Sequence, residues 1–177
     1  MEKFYTVDRT GSLKEGLEIS LNSPEINSPE LQEHMLSMFP EGLSHHGVSY
    51  FVSSESRADS PSQSIELLFE YVRQAHYPEL MSRFQSFFAC QSIEEARLFR
   101  QNYGTGDEKI YEVLARGRYF KANMRLLDNN QTSLCCSFLA HKYWRSETVS
   151  LPNELWEILL ELPVTIGRVV GQHVTRP

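Results

Sequence analysis

The residues of this sequence that could do chemistry are polar side chains inside strand-like segments. Residues 155–160, Leu-Trp-Glu-Ile-Leu-Leu, place one carboxylate, Glu157, in an otherwise apolar run. A buried apolar strand normally excludes a carboxylate, so Glu157 is predicted to be paired, exposed at an edge, or functional. A carboxylate held on a rigid strand can stabilise positive charge that develops in a transition state. By residue type alone, a carboxylate such as Glu157 is more often exposed at an edge or paired than catalytic.

Two further segments mix polar and aromatic residues in the same way. Residues 5–9 read Tyr-Thr-Val-Asp-Arg, and residues 82–88 read Ser-Arg-Phe-Gln-Ser-Phe-Phe. Strand alternation in the second segment predicts one face made of its two serines and of its first and last phenylalanines. By residue type alone, Ser86 is a small hydroxyl bonded to nearby backbone, and Arg9 and Arg83 are ion-pair partners at the surface.

The elements that would carry these residues follow from hydrophobic periodicity and from the breakers between periodic runs. The capping box Ser92–Glu95 marks the start of one helix, Ser133 is a candidate cap for another, and His46-Gly47 reads as a turn. Residues 53–64 read as a surface loop. Strands are predicted at residues 4–9, 82–90, 110–115, 155–161 and 164–174, the last as a final strand or a hairpin partner. Helices are predicted at residues 30–38, 64–76, 93–103 and 134–144.

Strands and helices are mixed without regular β-α-β alternation, which predicts an α+β fold. The chain has 177 residues and a net charge of −6, which fits one domain spanning residues 1–177. It has no Gly-rich nucleotide loop, no HExxH and no GxSxG, which disfavours nucleotide-binding, zincin and hydrolase folds built on those motifs. No apolar run approaches the ~20 residues of a membrane helix, and the first residues lack a signal-peptide pattern. We therefore expect a soluble, cytoplasmic protein without a membrane partner.

Two other features carry weaker expectations. The three cysteines, Cys90, Cys135 and Cys136, lack the spacing of a zinc site or a disulfide framework, so buried or half-buried thiols are predicted. Residues 109–125 interleave five basic side chains with three aromatic ones. That stretch is either a solvated hairpin with its aromatic residues in the core or a surface that grips phosphates and stacks bases.

Five segments of the chain form an ordered set, at residues 5–9, 40–47, 82–89, 143–147 and 155–159. Together they resemble the ADP-ribosyltransferase superfamily. The likeness is strongest to small bacterial proteins assigned to that superfamily, and the late segment also resembles the catalytic-Glu strand of DNA-modifying ADP-ribosyltransferases of the DarT type. Two positions depart from the pattern: Thr6 stands where the family usually has a His that contacts the cofactor, and Ser146 stands where it has a Gly.

The resemblance implies a fold of two small, packed, antiparallel or mixed sheets with flanking helices. It implies NAD as co-substrate, no metal, and Glu157 as the catalytic carboxylate near the ribose 2′-hydroxyl, with Glu147 and then Glu161 as alternatives. Within that pattern, Ser86 would brace the ribose, Arg9 and Arg83 the pyrophosphate, and Phe88 or Tyr103 would stack on nicotinamide. The full set of implied cofactor-binding residues is Tyr5, Thr6, Asp8, Arg9, Ser82, Arg83, Phe84, Ser86, Phe88 and Tyr103.

The resemblance further implies a toxin or defence effector, of the kind found in toxin–antitoxin or phage-defence systems, that transfers ADP-ribose to a macromolecule. Nucleic acid, RNA or DNA, is favoured over protein as the acceptor because residues 109–125 are basic and aromatic, and an antitoxin is an expected partner. Two alternatives remain open. One is a catalytically inactive relative that binds a nucleotide or a partner, and the other is an NAD glycohydrolase with water as acceptor.

Overall fold

The computed structural model describes residues 1–53, 62–128, 130–148 and 154–170. In these ranges no helix combines the length and the apolar character needed to cross a membrane. The strands are β1 Glu2–Val7, β2 Glu18–Ile19, β3 Ser86–Ala89, β4 Ile110–Ala115, β5 Tyr119–Asn123, β6 Trp156–Glu161 and β7 Val164–Val169. The helices are α1 Pro29–Met38, α2 His45–Gly47, α3 Gln63–His76, α4 Ile93–Tyr103 and α5 Ser133–Trp144.

The strands form two small antiparallel sheets. The four-stranded sheet has the order β1-β4-β7-β2, and the three-stranded sheet has the order β3-β6-β5. In the described part of the chain, one isolated bridge joins the two sheets, where the backbones of Tyr5 and Cys90 exchange hydrogen bonds of 2.9 and 2.6 Å. The mixed composition with two antiparallel sheets confirms the predicted α+β class.

The two faces of β6 enter different cores, because side chains alternate along a strand. Ile158 and Leu160 pack with the four-stranded sheet, in a cluster that also holds Phe4 and Val113. Leu159 lies on the opposite face, in a cluster formed mainly by α3 and α5. Glu157 precedes Ile158, so it lies on the helix side of this central strand, where its partners come from other elements.

The helices and most strands lie close to their predicted bounds. The capping box at Ser92 and Glu95 is present, and α3 runs from Gln63 to His76, one residue longer than predicted. The cap of α5 is Thr132, whose hydroxyl accepts a hydrogen bond from the Cys135 N–H, so Ser133 is the first helical residue and not the cap.

Two further local predictions are wrong. The segment at His46 and Gly47 is not a turn but part of α2, which continues through Val48–Val52 as a π-helical turn. The strand predicted over residues 82–90 is confined to β3, because Arg83–Gln85 forms a 3₁₀ turn. Its N-terminal hydroxyl, on Ser82, accepts from the Phe84 N–H at 3.1 Å and favours the turn over an extended chain. The predicted single face of alternating serines and phenylalanines is therefore broken.

Residues 109–125 do not form a hairpin. β4 pairs with β1 and β7, whereas β5 pairs with β6 in the other sheet. The chain therefore changes sheets at Gly117, and Tyr111 is buried whereas Tyr119 is exposed. β7 likewise pairs with β4 and β2 and is not a hairpin partner of β6. Most of the loop predicted at 53–64 and the end of the strand predicted at 164–174 lie outside the described residues.

Candidate functional site

A buried network of charged residues lies behind Glu157. The Arg83 side chain is 4% exposed and donates two hydrogen bonds to Glu66, of 2.7 Å from Nε and 2.9 Å from Nη2. Its Nη1 donates to Glu157 Oε1 and to the hydroxyl of Tyr143. The Tyr143 hydroxyl in turn donates to the same Glu157 oxygen at 2.8 Å. One cation thus bridges two carboxylates, and a tyrosine closes the ring of contacts.

The network depends on where α3 and the Ser82–Arg83 segment meet. Glu66 and Glu70 stand one turn apart on α3, and both are fully buried. Both carboxylate oxygens of Glu66 accept hydrogen bonds from the Arg83 guanidinium, whereas Glu70 accepts a hydrogen bond of 2.8 Å from the Ser82 hydroxyl. Glu70 also pairs with Arg73 on its own helix. Two carboxylates therefore fix consecutive residues of one segment, which sets the direction of the Arg83 guanidinium.

The electrostatics of the network keep its members in fixed charge states. Burial by itself would raise the pKa of Glu66, but its contacts with Arg83, and to a smaller extent with His46, outweigh burial and hold this pKa well below its usual range. Burial would lower the pKa of Arg83, yet the carboxylates of Glu157 and Glu66 raise it further above its usual value. Burial raises the pKa of Tyr143, so its hydroxyl stays protonated and can donate.

Glu157 has two oxygens in different situations. Oε1 receives the hydrogen bonds from Arg83 and Tyr143, whereas Oε2 has no hydrogen-bond partner among the residues that the structure describes. The Glu157 side chain is 10% exposed. A carboxylate with one oxygen fixed and the other unengaged can accept a hydrogen bond from a ligand hydroxyl or stabilise a positive charge placed against it.

Cys90 lies next to this carboxylate. It directly follows Ala89, the last residue of β3, which pairs with Ile158, the neighbour of Glu157. Burial, with added repulsion from Glu95 and Glu157, raises the pKa of the Cys90 thiol to about 12. The thiol is therefore protonated and unreactive at neutral pH. Cys136 is also buried and Cys135 half-buried, as predicted for all three cysteines.

Four of the implied site residues serve the scaffold. Ser82 and Arg83 are the anchors on α3 just described, and Arg83 is too enclosed to meet a pyrophosphate. The Ser86 hydroxyl donates to the backbone oxygen of Ser82 at 2.7 Å, as its residue type alone suggested. Phe84 is fully buried in the cluster around Phe39.

The residues implied on the early strand lie at the junction of the two sheets. Tyr5 forms the bridge to Cys90, and the Thr6 hydroxyl donates to the Phe88 backbone oxygen at 3.2 Å. Asp8 has both oxygens engaged within its own turn, where they accept from the N–H groups of Ser12 and Leu13 at 3.1 Å. Asp8 therefore orders the loop after β1.

Arg9 and Tyr103 both contact the ring of Phe99, which belongs to α4. The Arg9 guanidinium lies 5.5 Å from the Phe99 ring centre, and the Tyr103 ring stacks on Phe99 at 5.1 Å. The Arg125 guanidinium lies 5.8 Å from the centre of the Tyr103 ring. Arg9 is exposed and Tyr103 half-buried, so both side chains remain accessible for a ligand.

The alternative carboxylates differ from Glu157 in their surroundings. Glu147 pairs with Lys142 and Arg145 at the end of α5. Glu161 pairs with the exposed Arg118 at 2.9 Å, at the opposite end of β6 from Glu157. Glu161 and Arg118 also line a cavity of about 370 Å³. Among the residues that the structure describes, neither carboxylate pairs with a buried cation, and in this both differ from Glu157.

Glu66, Glu70, Tyr143 and His46 are site residues that sequence reasoning missed. The two glutamates occupy the edge of the buried face of α3, beside Ile65 and Phe69, where acidic residues look like part of a solvated face. Their spacing of four residues was the available signal, but nothing in the sequence indicated that the 82–83 segment faces them. Within the described ranges no group of three or more His, Cys, Asp or Glu residues could hold a metal ion.

The fold and the site define an α+β protein with a carboxylate on a central strand, fixed from behind by a buried arginine. A family model described as "Protein of unknown function (DUF2441)" matches residues 5–172, nearly the whole chain. The chain therefore belongs to that family. A search of curated proteins gives no match.

Proposed function

We propose that the protein is an NAD-dependent ADP-ribosyltransferase in which Glu157 is the catalytic carboxylate. The observation that carries the proposal is the asymmetry of Glu157, whose Oε1 is held by Arg83 and Tyr143 while Oε2 is unengaged within the described residues. The resemblance of five ordered segments and the pair of small antiparallel sheets support it.

The chemistry needs a fixed negative charge near the reacting sugar. Cleavage of the nicotinamide–ribose bond passes through an oxocarbenium-like transition state, as in glycoside hydrolysis, and positive charge develops on the ribose. Glu157 Oε2 would accept a hydrogen bond from the ribose 2′-hydroxyl, and its negative charge would stabilise the positive charge that develops on the ribose. Arg83 and Tyr143 hold the carboxylate in place, so no reorganisation is needed when the charge appears.

The accessible residues fit other parts of such a substrate. Arg9 is exposed at the start of the loop after β1 and can pair with a phosphate. The rings of Phe88 and Tyr103 are half-buried and offer faces for stacking. Nucleic acid remains our proposed acceptor over protein, because Lys121 lies 5.2 Å from the Trp156 ring and Arg125 lies near Tyr103, which repeats the cation–aromatic pattern that bases and phosphates favour.

The test is transfer from labelled NAD to RNA, single-stranded DNA or lysate protein, supplied separately. Glu157→Gln keeps the shape and hydrogen bonding of Oε1 but removes the charge, and it should reduce transfer by about 10²–10³ or more. Glu94→Gln, a change of the same kind at a side chain that is 73% exposed, is the matched control. Glu147→Gln and Glu161→Gln test the two alternative carboxylates. Wild-type turnover in folded Glu157→Gln would refute the assignment.

A relative that binds a nucleotide without turnover is the second candidate. The observation that favours it is the Thr6 hydroxyl, which is buried and already bonded to the Phe88 backbone oxygen, so it offers a ligand no imidazole and no free donor. The two candidates separate in one assay. Nicotinamide release that needs an acceptor indicates a transferase, release in buffer alone indicates a glycohydrolase, and NAD binding without release indicates the inactive relative.

A further inference from the structure

His46 and Glu66 form a second ionisable pair that adjoins the Glu157 network. His46 Nε2 lies 3.3 Å from Glu66 Oε1, within ion-pair distance. This nitrogen is buried and has no aligned hydrogen bond, whereas Nδ1 is not cut off from solvent and has no partner in the described part of the chain. The His46 side chain is 19% exposed. The imidazole therefore has one nitrogen against a carboxylate and one facing outward.

The ring is held in a fixed orientation. Tyr50 stacks on it with ring centres 4.4 Å apart and planes at 27°. Phe88 approaches at 4.5 Å, and the Arg83 guanidinium lies 4.8 Å from the centre of the same Phe88 ring. Because Glu66 contacts both His46 and Arg83, and Arg83 contacts Glu157, the outward imidazole and the candidate carboxylate share one rigid support.

Among the residues that the structure describes, Glu66 on α3 is the charged group in contact with the imidazole, and Arg83 stands behind Glu66 on the 3₁₀ turn. β3 contributes the Phe88 ring, and the segment that follows His46 contributes Tyr50. Burial raises the pKa of Glu66, but the Arg83 guanidinium is the strongest opposing influence and this pKa stays well below its usual value, so Glu66 is ionised through the neutral range. The Glu66 carboxylate is therefore a negative charge 3.3 Å from His46 Nε2.

We propose that His46 is a second catalytic residue, the general base that activates the acceptor. This inference rests on the proposed transfer reaction. The acceptor nucleophile forms a bond to ribose C1′ as the C1′–nicotinamide bond breaks, and the electron pair of that bond leaves with the nicotinamide nitrogen. The proton of the nucleophile passes to His46 Nδ1, which gives an imidazolium whose Nε2 lies 3.3 Å from Glu66 Oε1. The imidazolium then returns its proton to solvent.

The decisive variant is His46→Gln. Its amide can still donate toward Glu66 but has no basic nitrogen, so it separates a structural role from a catalytic one. A general base typically contributes about 10²–10⁴ in rate, so kcat for transfer should fall by that factor while KM for NAD is unchanged. In the acidic range, the kcat of His46→Gln should also vary less with pH than the kcat of the wild type. His45→Gln, a change of the same kind at the exposed neighbour, should leave kcat and the profile as in the wild type.

His46→Ala provides an independent readout. It leaves a ring-sized space between Tyr50 and Phe88, so added imidazole should restore transfer in a concentration-dependent way, with folding checked by circular dichroism. Unchanged kcat in His46→Gln overturns the inference, and so does a folded His46→Ala protein that imidazole leaves inactive. Failure of the wild type to release nicotinamide would instead refute the proposed function, and with it this inference.

Discussion

Replacing Arg83 by methionine is the most direct perturbation of the buried network. Arg83 donates hydrogen bonds to Glu66, Glu157 and Tyr143 and is 3% exposed. Methionine fills similar space but leaves the fully buried Glu66 carboxylate without its main counter-charge. Breaking a buried ion pair by removing one partner costs about 3–5 kcal/mol, so we expect the free energy of unfolding to fall by that amount.

Two further variants test whether the loss in the free energy of unfolding comes from the unpaired charge of Glu66. Adding Glu66→Gln to Arg83→Met removes the uncompensated charge, so the double variant should recover part of the loss, with a coupling of about 1–3 kcal/mol. Arg97→Met is the matched control, because that side chain is 52% exposed and its contact to Glu94 is 3.9 Å long. Surface pairs of this kind contribute roughly 0–1 kcal/mol.

The assay is urea unfolding followed by circular dichroism, at neutral and acidic pH. The wild-type pKa of Glu66 is lowered from 4.5 on folding, so its contribution is complete above pH 4.5 and is lost as pH falls below that value. In Arg83→Met, burial is no longer offset, so Glu66 takes up a proton more readily and the cost of the variant should shrink in acid. A loss at neutral pH no larger than that of Arg97→Met would refute the reasoning.

Two other predictions concern close contacts around the site. A Cβ at Gly47 would lie 2.2 Å from the Phe84 backbone oxygen, so Gly47→Ala should push α2 away from Phe84. We expect the free energy of unfolding, measured in urea, to fall by about 1–3 kcal/mol. An unchanged unfolding midpoint would contradict this packing. Burial raises the pKa of Cys90 from 9.0 to about 12, so its thiol should resist alkylation at pH 8 while the half-buried Cys135 reacts. The raised pKa of Cys90 stabilises the fold below pH 9, and this contribution to stability is lost as pH rises toward 12. Rapid labelling of Cys90 in the native protein would contradict the burial of its thiol.

Local patterns in the sequence were sufficient for most elements. The apolar spacing of α3, the capping box of α4 and the β-rich runs of β4 and β6 each depend on neighbours within a few residues. The errors occur where a side chain competes with the backbone pattern or where pairing is long-range. Ser82 caps a turn inside an apparent strand, and residues 109–125 look like a hairpin although β4 and β5 pair in different sheets.

The sequence by itself determined that Glu157 is an unusual carboxylate in an apolar strand, and this required only its immediate neighbours. The tertiary structure decided what surrounds it. Arg83 is 74 residues away from Glu157 in sequence, and Glu66 is 17 residues away from Arg83. No local pattern encodes such contacts, because they depend on how α3, β3 and β6 pack. The same packing buries Arg83 against Glu157, although the resemblance implied that Arg83 binds a phosphate, and it places His46 beside Glu66.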